Sequence, residues 1–337
     1  MPTFCRHNRF LANCPICSAD QVEVVSNRRT STAQPARPAT ASATARGRAA
    51  ARGGRGAGAL RVRQVAREQE DGFRSELIPG VKASAAAERL AEELAFAAAR
   101  LALLADDPPG LYAEVADAAA AGAREEALWL AFLIAYLGPL DDEDPFAGVR
   151  AARTSWAGGE LPQLDGVPLG PRTVHDPARG TETLAAYRAW AERAGSQDAG
   201  FAGEPAWTPE RRFARAYERL ALPGLHRDAR FDLLVTLGQL GVHDMQAATL
   251  QLGGADDTTV AAKRVFGIAD TLLLERRAGE LAAAAELPLA ALDLALWNWS
   301  RPPRPGTAGE RDRATLGAVG LEPDADAYAR AAAALGL

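Results

Sequence analysis

The stretch Ala221-Leu-Pro-Gly-Leu-His-Arg-Asp228 separates two segments of helical pattern, and Asp256-Asp-Thr-Thr-Val260 follows further along the chain. A Pro-Gly pair favours a tight turn, because Pro lacks an N–H and Gly tolerates positive φ. An acidic residue ahead of Thr is typical of a helix start, where a carboxylate accepts hydrogen bonds from free backbone N–H groups. The sequence therefore predicts two helices joined by a turn, and then a helix that an acidic pair opens.

Together these motifs resemble the helix-hairpin-helix DNA glycosylase superfamily, over about Pro209 to Trp299. In that family a Leu-Pro-Gly-x-Gly hairpin offers backbone N–H groups to a DNA phosphate, and a downstream Asp supplies the carboxylate for N-glycosidic bond cleavage. Within the superfamily the chain is most similar to the α-glutamyl/putrescinyl thymine pyrophosphorylase-like and anti-phage modified-base glycosylase branch. The resemblance implies an all-α fold, DNA as partner, no small-molecule cofactor and excision of a flipped, modified base, with phage defence as one setting.

The chain departs from the family pattern at three places. His226 replaces the second hairpin glycine, so its Cβ is expected to crowd the approach of a phosphate. Asp228 stands where bifunctional members carry a Schiff-base lysine, and the chain's only lysines are Lys82 and Lys263. The connection from His243 to Gly254 is longer than expected. The resemblance therefore implies a monofunctional glycosylase without lyase activity.

The resemblance also implies roles for particular residues. Asp257 matches the family's Asp-Thr-x-Val best, whereas counting back from Phe266-Gly267-Ile268 points to Asp256 as the catalytic acid. Either could instead be an ordinary helix cap. Tyr136 and Trp156 are candidate walls of a base pocket, although single aromatics are more often core. The expected DNA-contacting residues are Leu222, Pro223, Gly224, Leu225, His226, Arg227 and Arg230.

A basic helix is predicted immediately before the turn. Pro209 to Leu220 carries four arginines: Arg211, Arg212, Arg215 and Arg219. Such a face suits a phosphate backbone. The alternative is a solvated face that is paired with Glu210 and Glu218.

All three cysteines lie close to the N-terminus, in Phe4-Cys5-Arg6-His7 and Cys14-Pro-Ile-Cys17. Such clustering in a cytosolic protein indicates a metal site more often than a disulfide. Cys5, His7, Cys14 and Cys17 can complete a tetrahedral Cys₃His shell, which predicts a structural zinc. A redox or incidental Cys-x-x-Cys pair is the alternative.

Composition divides the chain into four regions: a zinc knuckle (1–22), a linker rich in Arg, Gly and Ala (23–68), a helical glycosylase-like domain (69–300), and a Pro-rich connection with a C-terminal helix (301–337). The segment 26–63 has nine arginines and no acidic residue, so we expect it to be disordered and to hold phosphates without sequence preference. A merely soluble tether is the alternative. The formal charge of −5 argues against a uniformly basic nucleic-acid binder.

The region from about Gln69 is predicted to be helical throughout, because apolar residues recur at helical spacing and β-branched alternation is not sustained. The expected helices are 85–104, 112–121, 125–137, 181–194, 209–220, 271–286 and 289–299. The segment 127–136 is nearly apolar all round and predicts a buried central helix. With no apolar run of membrane-spanning length and no signal peptide, we expect a cytoplasmic protein.

Two other functions are compatible with the sequence. In a non-catalytic DNA-binding adaptor, the zinc knuckle and the hairpin would only locate DNA. A helical protein–protein scaffold would need neither motif. In an enzyme, Asp256 or Asp257 should point into an aromatic-lined cleft beside the turn, whereas in an adaptor the acid would only cap its helix. The base excised, the origin of the DNA and the oligomeric state stay open.

Overall fold

The computed structural model describes residues 69–140, 142, 144–173, 179–301 and 324–337. Within these residues the fold is all-α, with twelve helices and no strand. In chain order the helices are α1 (Ser84–Asp106), α2 (Leu111–Ala120), α3 (Arg124–Leu137), α4 (Ala147–Ala152), α5 (Gly180–Ala194), α6 (Gln197–Ala202), α7 (Pro209–Arg219), α8 (Arg227–Gln239), α9 (Asp257–Phe266), α10 (Thr271–Ala284), α11 (Leu289–Trp299) and α12 (Ala325–Leu335).

Helix α3 lies at the centre of the core, as its nearly continuous apolar sequence predicts. Ten of its fourteen residues are buried, because α2 packs on one side of it and α8 on another. A helix that is apolar on every face gains stability only when neighbours cover all of those faces. The neighbouring helices are therefore positioned by their packing against α3.

The predicted helix bounds agree closely with the structure. Helix α11 spans Leu289–Trp299, as expected, and α1 extends the predicted 85–104 by one residue at its start and by two at its end. Helix α10 ends at Ala284, two residues earlier than expected. Breaks fall at Pro108-Pro109-Gly110 and Gly138-Pro139, where proline and glycine interrupt the helical hydrogen bonds.

The last long helices close the core and position the acidic motif. Helix α11 packs along α1 and also contacts α9 and α10, while α12 packs against α1. Helix α7 packs against α8. The turn between α7 and α8 and the start of α9 therefore belong to one packed body that α11 holds together.

Two of the predicted regions, the zinc knuckle (1–22) and the linker (23–68), lie outside the described residues. In the part of the chain that the structure does describe, no helix has both the length and the apolar character needed to cross a membrane.

Candidate functional site

The turn between α7 and α8 is short and is held by its own backbone. The N–H of Leu222 donates to the carbonyl of Leu220 at 2.7 Å, and the N–H of Leu225 donates to that of Leu222 at 3.1 Å. The Leu225 side chain is buried and anchors the turn, whereas Pro223 and Gly224 are exposed. The tip of the turn therefore faces outward, where a ligand can reach its backbone.

Gly224 is required at its position for two reasons. Its φ is +74°, a region that disfavours residues with a Cβ. A Cβ placed there would also lie 2.1 Å from the hydroxyl oxygen of Thr183 on α5. Thr183 is buried, and it lowers the pKa of Tyr136 on α3 against the larger, opposite effect of burial. The turn is therefore packed closely against Thr183 of α5.

His226 occupies the place of the family's second glycine without backbone strain. Its φ of −73° and ψ of 166° are in the extended region that any residue adopts. Its side chain is exposed. The backbone of His226 is therefore unstrained, and its Cβ could crowd a phosphate only by occupying space at the turn. The imidazole lies at the outer surface beside the start of α8.

Three arginines of α7 form an exposed stripe that ends at the turn. Arg211, Arg215 and Arg219 are all exposed and recur every four residues, so they share one face of the helix. The guanidinium groups of Arg211 and Arg219 lie 5.2 and 5.7 Å from the centre of the Trp207 ring. Arg215 pairs with Glu218 at 2.7 Å. The exposed arginines support the interpretation of this face as a basic surface, and the pair between Arg215 and Glu218 supports its interpretation as a solvated, paired helix face.

The other two arginines near the turn face inward. Arg212 donates to the carbonyls of Ala202 and Asp244. Arg230 lies 4.2 Å from the centre of the Tyr217 ring and donates to the Tyr217 carbonyl. Their guanidinium groups therefore tie α7 and α8 to their surroundings.

Arg227 and Asp228, the first residues of α8, form a buried ion pair directly behind the turn. The guanidinium of Arg227 donates to the carboxylate of Asp228 at 2.9 Å and also pairs with Asp293 of α11. Asp293 pairs with Arg172 at 3.0 Å, and Arg172 holds Asp232 through two bonds at 3.0 and 3.1 Å. Arg227 therefore faces the protein interior and not the outer surface of the hairpin.

The charges in this network shift one another's proton affinity. Burial raises the pKa of Asp228 to about 6. The negative charge of Asp293 raises it further, while the positive charges of Arg172 and Arg227 lower it. The pKa of Arg227 is raised: burial opposes its charge, but the carboxylates of Asp293 and Asp228 outweigh that effect. Three carboxylates share two guanidinium groups, so proton uptake by Asp228 as the pH falls to about 6 relieves the excess of negative charge.

The two candidate acids at the start of α9 differ in what they contact. Asp256 is the N-cap: its carboxylate accepts from the backbone N–H of Thr259 and from the Thr259 hydroxyl, both at 2.8 Å. Asp257 is the first helical residue, with a side chain 49% exposed and 3.7 Å from the guanidinium of Arg301. Capping thus engages both oxygens of Asp256, while the carboxylate of Asp257 is accessible.

The charge of Asp256 acts on residues of α7 and α8. Burial raises the pKa of Tyr217, at the end of α7, and the charge of Asp256 adds to that shift. The same charge contributes to the raised pKa of Arg227. The geometric link between the two is Arg227, which begins α8 and donates a hydrogen bond to the carbonyl of Leu250 on the connection that leads into α9.

Tyr136 and Trp156, the candidate pocket walls, lie in an aromatic cluster below the turn. Tyr136 stacks on Phe132 at 5.5 Å, and Trp156 is 5.5 Å from Trp129. Tyr136 is buried, and Trp156 is half-buried, with the Arg188 guanidinium 4.3 Å from its ring centre. Tyr136 therefore acts as part of the core in this conformation, and Trp156 lies at its edge.

A small pocket opens beside the Arg172–Asp232 pair and is walled by Tyr112, Thr236 and Leu294. Its lining includes neither of the candidate acids. In the described residues, no group of three or more His, Cys, Asp and Glu side chains is arranged to hold a metal ion. The predicted zinc ligands Cys5, His7, Cys14 and Cys17 lie outside the described residues.

Sequence reasoning missed Arg172, Asp232 and Arg301 as members of this site. Asp293 carried a signal, since it is a lone carboxylate in an otherwise apolar helix and so had to find a buried partner. Arg172 comes from the irregular segment before α5, and no local pattern ties it to α8 or α11. Arg301 follows α11 and stacks 3.7 Å above the ring centre of Trp297.

Comparison of the chain with protein-family models, with curated proteins and with solved structures finds no match in any of the three.

Proposed function

We propose that this chain is a monofunctional DNA glycosylase-like enzyme of the helix-hairpin-helix type, which hydrolyses the N-glycosidic bond of a flipped, modified base. The observation that carries the proposal is the junction around Arg227. There Arg227, the first residue of α8 after the turn, holds the carbonyl of Leu250 on the connection that leads into the acidic start of α9, so one bound DNA could contact both the turn and the acid. Phage defence is one setting for such an activity.

DNA would be held from the outer side of the turn. The exposed tip at Pro223 and Gly224 presents backbone close to the N-terminus of α8, where the helix dipole favours a phosphate. The arginine stripe of α7 extends this surface. The nine arginines of residues 26–63 would add sequence-independent, salt-sensitive affinity.

In this mechanism Asp257 is the catalytic carboxylate. As the bond between the sugar C1′ and the base nitrogen breaks, the bonding electrons leave with the base, and positive charge develops on the sugar. A carboxylate beside C1′ stabilises that charge. Water then bonds to C1′ and loses a proton, the base gains one, and an abasic site results.

Lyase chemistry is not part of the proposal, because no lysine is placed to form an imine. Of the two lysines in the chain, Lys263 lies in the last turn of α9 and Lys82 precedes α1. Asp228, at the family's lysine position, is a buried partner of Arg227.

The second candidate is a non-catalytic, zinc-containing DNA-binding adaptor. Two observations favour it: Asp256 caps its own helix, and the small pocket beside Arg172 and Asp232 is lined by neither candidate acid. In either function a structural zinc would be held by Cys5, His7, Cys14 and Cys17, a donor set that suits tetrahedral zinc and leaves no open position.

A pair of isosteric variants tests the enzyme. Asp257→Asn removes the charge but keeps the size of the side chain, so we expect loss of base excision with unchanged DNA affinity. Asp256→Asn is the matched control at the neighbouring position and should retain excision. The readout is alkali-labile abasic sites in DNAs that carry different modified bases.

The remaining outcomes distinguish the alternatives. Loss of excision in Asp256→Asn alone would move the catalytic role one residue upstream. Full excision by both single variants and by the double variant would refute the assigned carboxylate chemistry. DNA binding by a wild-type protein that leaves no abasic sites would favour the adaptor.

A further inference from the structure

The connection between α8 and α9 contains a tightly held backbone segment, Leu250–Leu252. Both N–H groups that flank Gln251 donate to the carboxylate of Glu275 on α10: Leu250 at 2.7 Å, and Leu252 through the other oxygen. The carbonyl of Leu250 accepts a hydrogen bond from the Arg227 guanidinium. Two charged side chains from two helices thus hold one short piece of loop backbone.

Gln251 shows how firmly this segment is fixed. Its φ is +58°, in the left-handed region that side chains with a Cβ rarely adopt. Such a conformation persists only where the surroundings over-determine it. Here the flanking Leu250 and Leu252 side chains are fully buried, and the hydrogen bonds from Glu275 and Arg227 fix the backbone between them.

The segment lies directly before the acidic pair. Only Gly253, Gly254 and Ala255 separate Leu252 from Asp256, so the position of Leu252 limits how far the start of α9 can move. At its other end the clamp reaches the hairpin, because Arg227 is the first residue of α8 and also pairs with Asp228 and Asp293. The lengthened connection is therefore anchored on both the hairpin helix and α10.

We propose that Arg227 and Glu275 are positioning residues that fix Leu250–Leu252 and thereby set the place of the acidic start of α9 relative to the hairpin turn. The inference rests on the proposed function for its catalytic consequence, while the clamp itself can be tested without substrate. Arg227 would act through the backbone and through Asp256–Asp257, and not by contact with DNA.

The chain offers a matched control in Arg124. Its guanidinium also bridges a carboxylate and a loop carbonyl, Asp198 at 2.7 Å and Val242 at 2.7 Å. Val242 lies near the start of the same connection, far in sequence from the acidic pair. The Arg124 side chain is more exposed than that of Arg227, at 38% against 8%.

The first readout is hydrogen exchange of backbone amides in the full chain without DNA. Arg227→Lys keeps the charge but replaces the planar guanidinium, whose two terminal nitrogens reach different partners, by a single compact ammonium, so exchange at Leu252 and Thr259 should rise at least about tenfold relative to amides of α3. Arg124→Lys should leave both amides at the wild-type rate. Equal effects of the two variants, or no selective change in Arg227→Lys, would overturn the proposal.

Glu275→Gln is the second variant, in case Arg227→Lys does not fold. The amide keeps the side-chain volume but offers one acceptor oxygen in place of two, so exchange at Leu250 or at Leu252 should rise while the ion pairs of Arg227 persist. Unchanged exchange at Leu250 and Leu252 in Glu275→Gln would equally overturn the clamp.

The second readout is turnover on whichever modified DNA the wild-type protein converts to abasic sites. Arg227→Lys should lower kcat at least about tenfold and leave KM within about twofold, because the acid moves but the DNA-binding surface does not. Arg124→Lys should change neither. Faster exchange with unchanged kcat would overturn the positioning role, whereas a wild-type protein without excision would refute the proposed function and leave the exchange test to decide the clamp.

Discussion

Asp228 occupies the position at which the resembled family places its lysine nucleophile, yet its surroundings give it a different chemistry. It is buried against Arg227, with Asp293 nearby, and burial raises its pKa to about 6. Its pKa in the unfolded chain is close to the ordinary value of 3.8. The folded state therefore binds a proton at this site more tightly than the unfolded state does.

Because the folded state binds this proton more tightly, the protein should lose stability as the pH rises and the proton leaves. The stabilisation by protonated Asp228 is fully present below pH 3.8 and is lost as the pH rises through about 6. Asp228→Asn cannot ionise, so its free energy of unfolding relative to wild type should increase between pH 4 and pH 8 by up to about 3 kcal/mol. Urea denaturation at a series of pH values measures this difference.

A second buried group titrates in the opposite direction. Burial lowers the pKa of His243 to about 4, so its contribution falls as the pH drops below the ordinary value of 6.5. The contribution of His243 to the free energy of unfolding is the same in wild type and in Asp228→Asn, so it cancels when the two are subtracted. The exposed Asp165 provides a control variant, Asp165→Asn, for loss of one carboxylate. A flat difference curve for Asp228→Asn would show that Asp228 is ionised throughout this range.

At the scale of elements, the sequence predicts the helices well but not the side-chain contacts between them. The long helices α1, α3 and α11 follow from apolar spacing and from proline and glycine breaks, which are local signals. The short helices α4 and α6 escaped prediction, because six residues give too little periodicity to detect. Helix identity is thus encoded locally, while the ion network between α8 and α11 depends on tertiary packing.

The candidate site shows the same limit. The turn and the acidic start of α9 were predictable, because Pro-Gly and Asp-Asp-Thr-Thr act on their own backbone. The burial of Arg227 was not, since an arginine beside a turn looks the same in sequence whether it faces solvent or a carboxylate on another helix. Its orientation is set by Asp293, which lies on α11 far along the chain.

Helix α7 offers a test of DNA binding at the element scale. Replacing Arg211, Arg215 and Arg219 by Gln removes the exposed charges but keeps the helix, since Gln is a good helix former. If the stripe contacts phosphates, affinity for duplex DNA should fall, and the slope of log K against log salt should become shallower by up to about 3. Fluorescence anisotropy over a salt series measures both quantities.

The control for this variant lies on α10. Arg276 is exposed and pairs with Glu280 at 2.8 Å, much as Arg215 pairs with Glu218. Arg276→Gln should therefore leave the salt slope unchanged. A triple α7 variant with wild-type affinity and slope would mean that this face is only a solvated helix surface.

Across the whole molecule, positive charge is unevenly distributed along the sequence. The chain has a formal charge of −5, although residues 26–63 contribute nine arginines and no acid, so the remaining residues carry a larger excess of negative charge. A strongly acidic body repels DNA except where arginines are exposed. The proposed DNA affinity therefore depends on two limited sources of positive charge, the α7 stripe and the segment 26–63.

Every cysteine of the chain lies in its first seventeen residues. So short a segment cannot bury a sizeable apolar core, and a bound metal can stabilise it instead. We expect one zinc per chain, held by Cys5, His7, Cys14 and Cys17, because three thiolates and one imidazole complete a tetrahedral shell. The double variant Cys14→Ser/Cys17→Ser should bind none, and His7→Ala should bind zinc more weakly.

His226→Ala is the matched control for His7→Ala, since His226 is an exposed histidine outside the cysteine cluster and its loss should leave the zinc content unchanged. Elemental analysis of freshly purified protein, kept free of chelators, gives the stoichiometry. Competition with a chromogenic chelator ranks the affinities of the variants. Protein without zinc, or a Cys14→Ser/Cys17→Ser variant that keeps it, would contradict the assignment and leave Cys14-Pro-Ile-Cys17 as a redox pair or an incidental one.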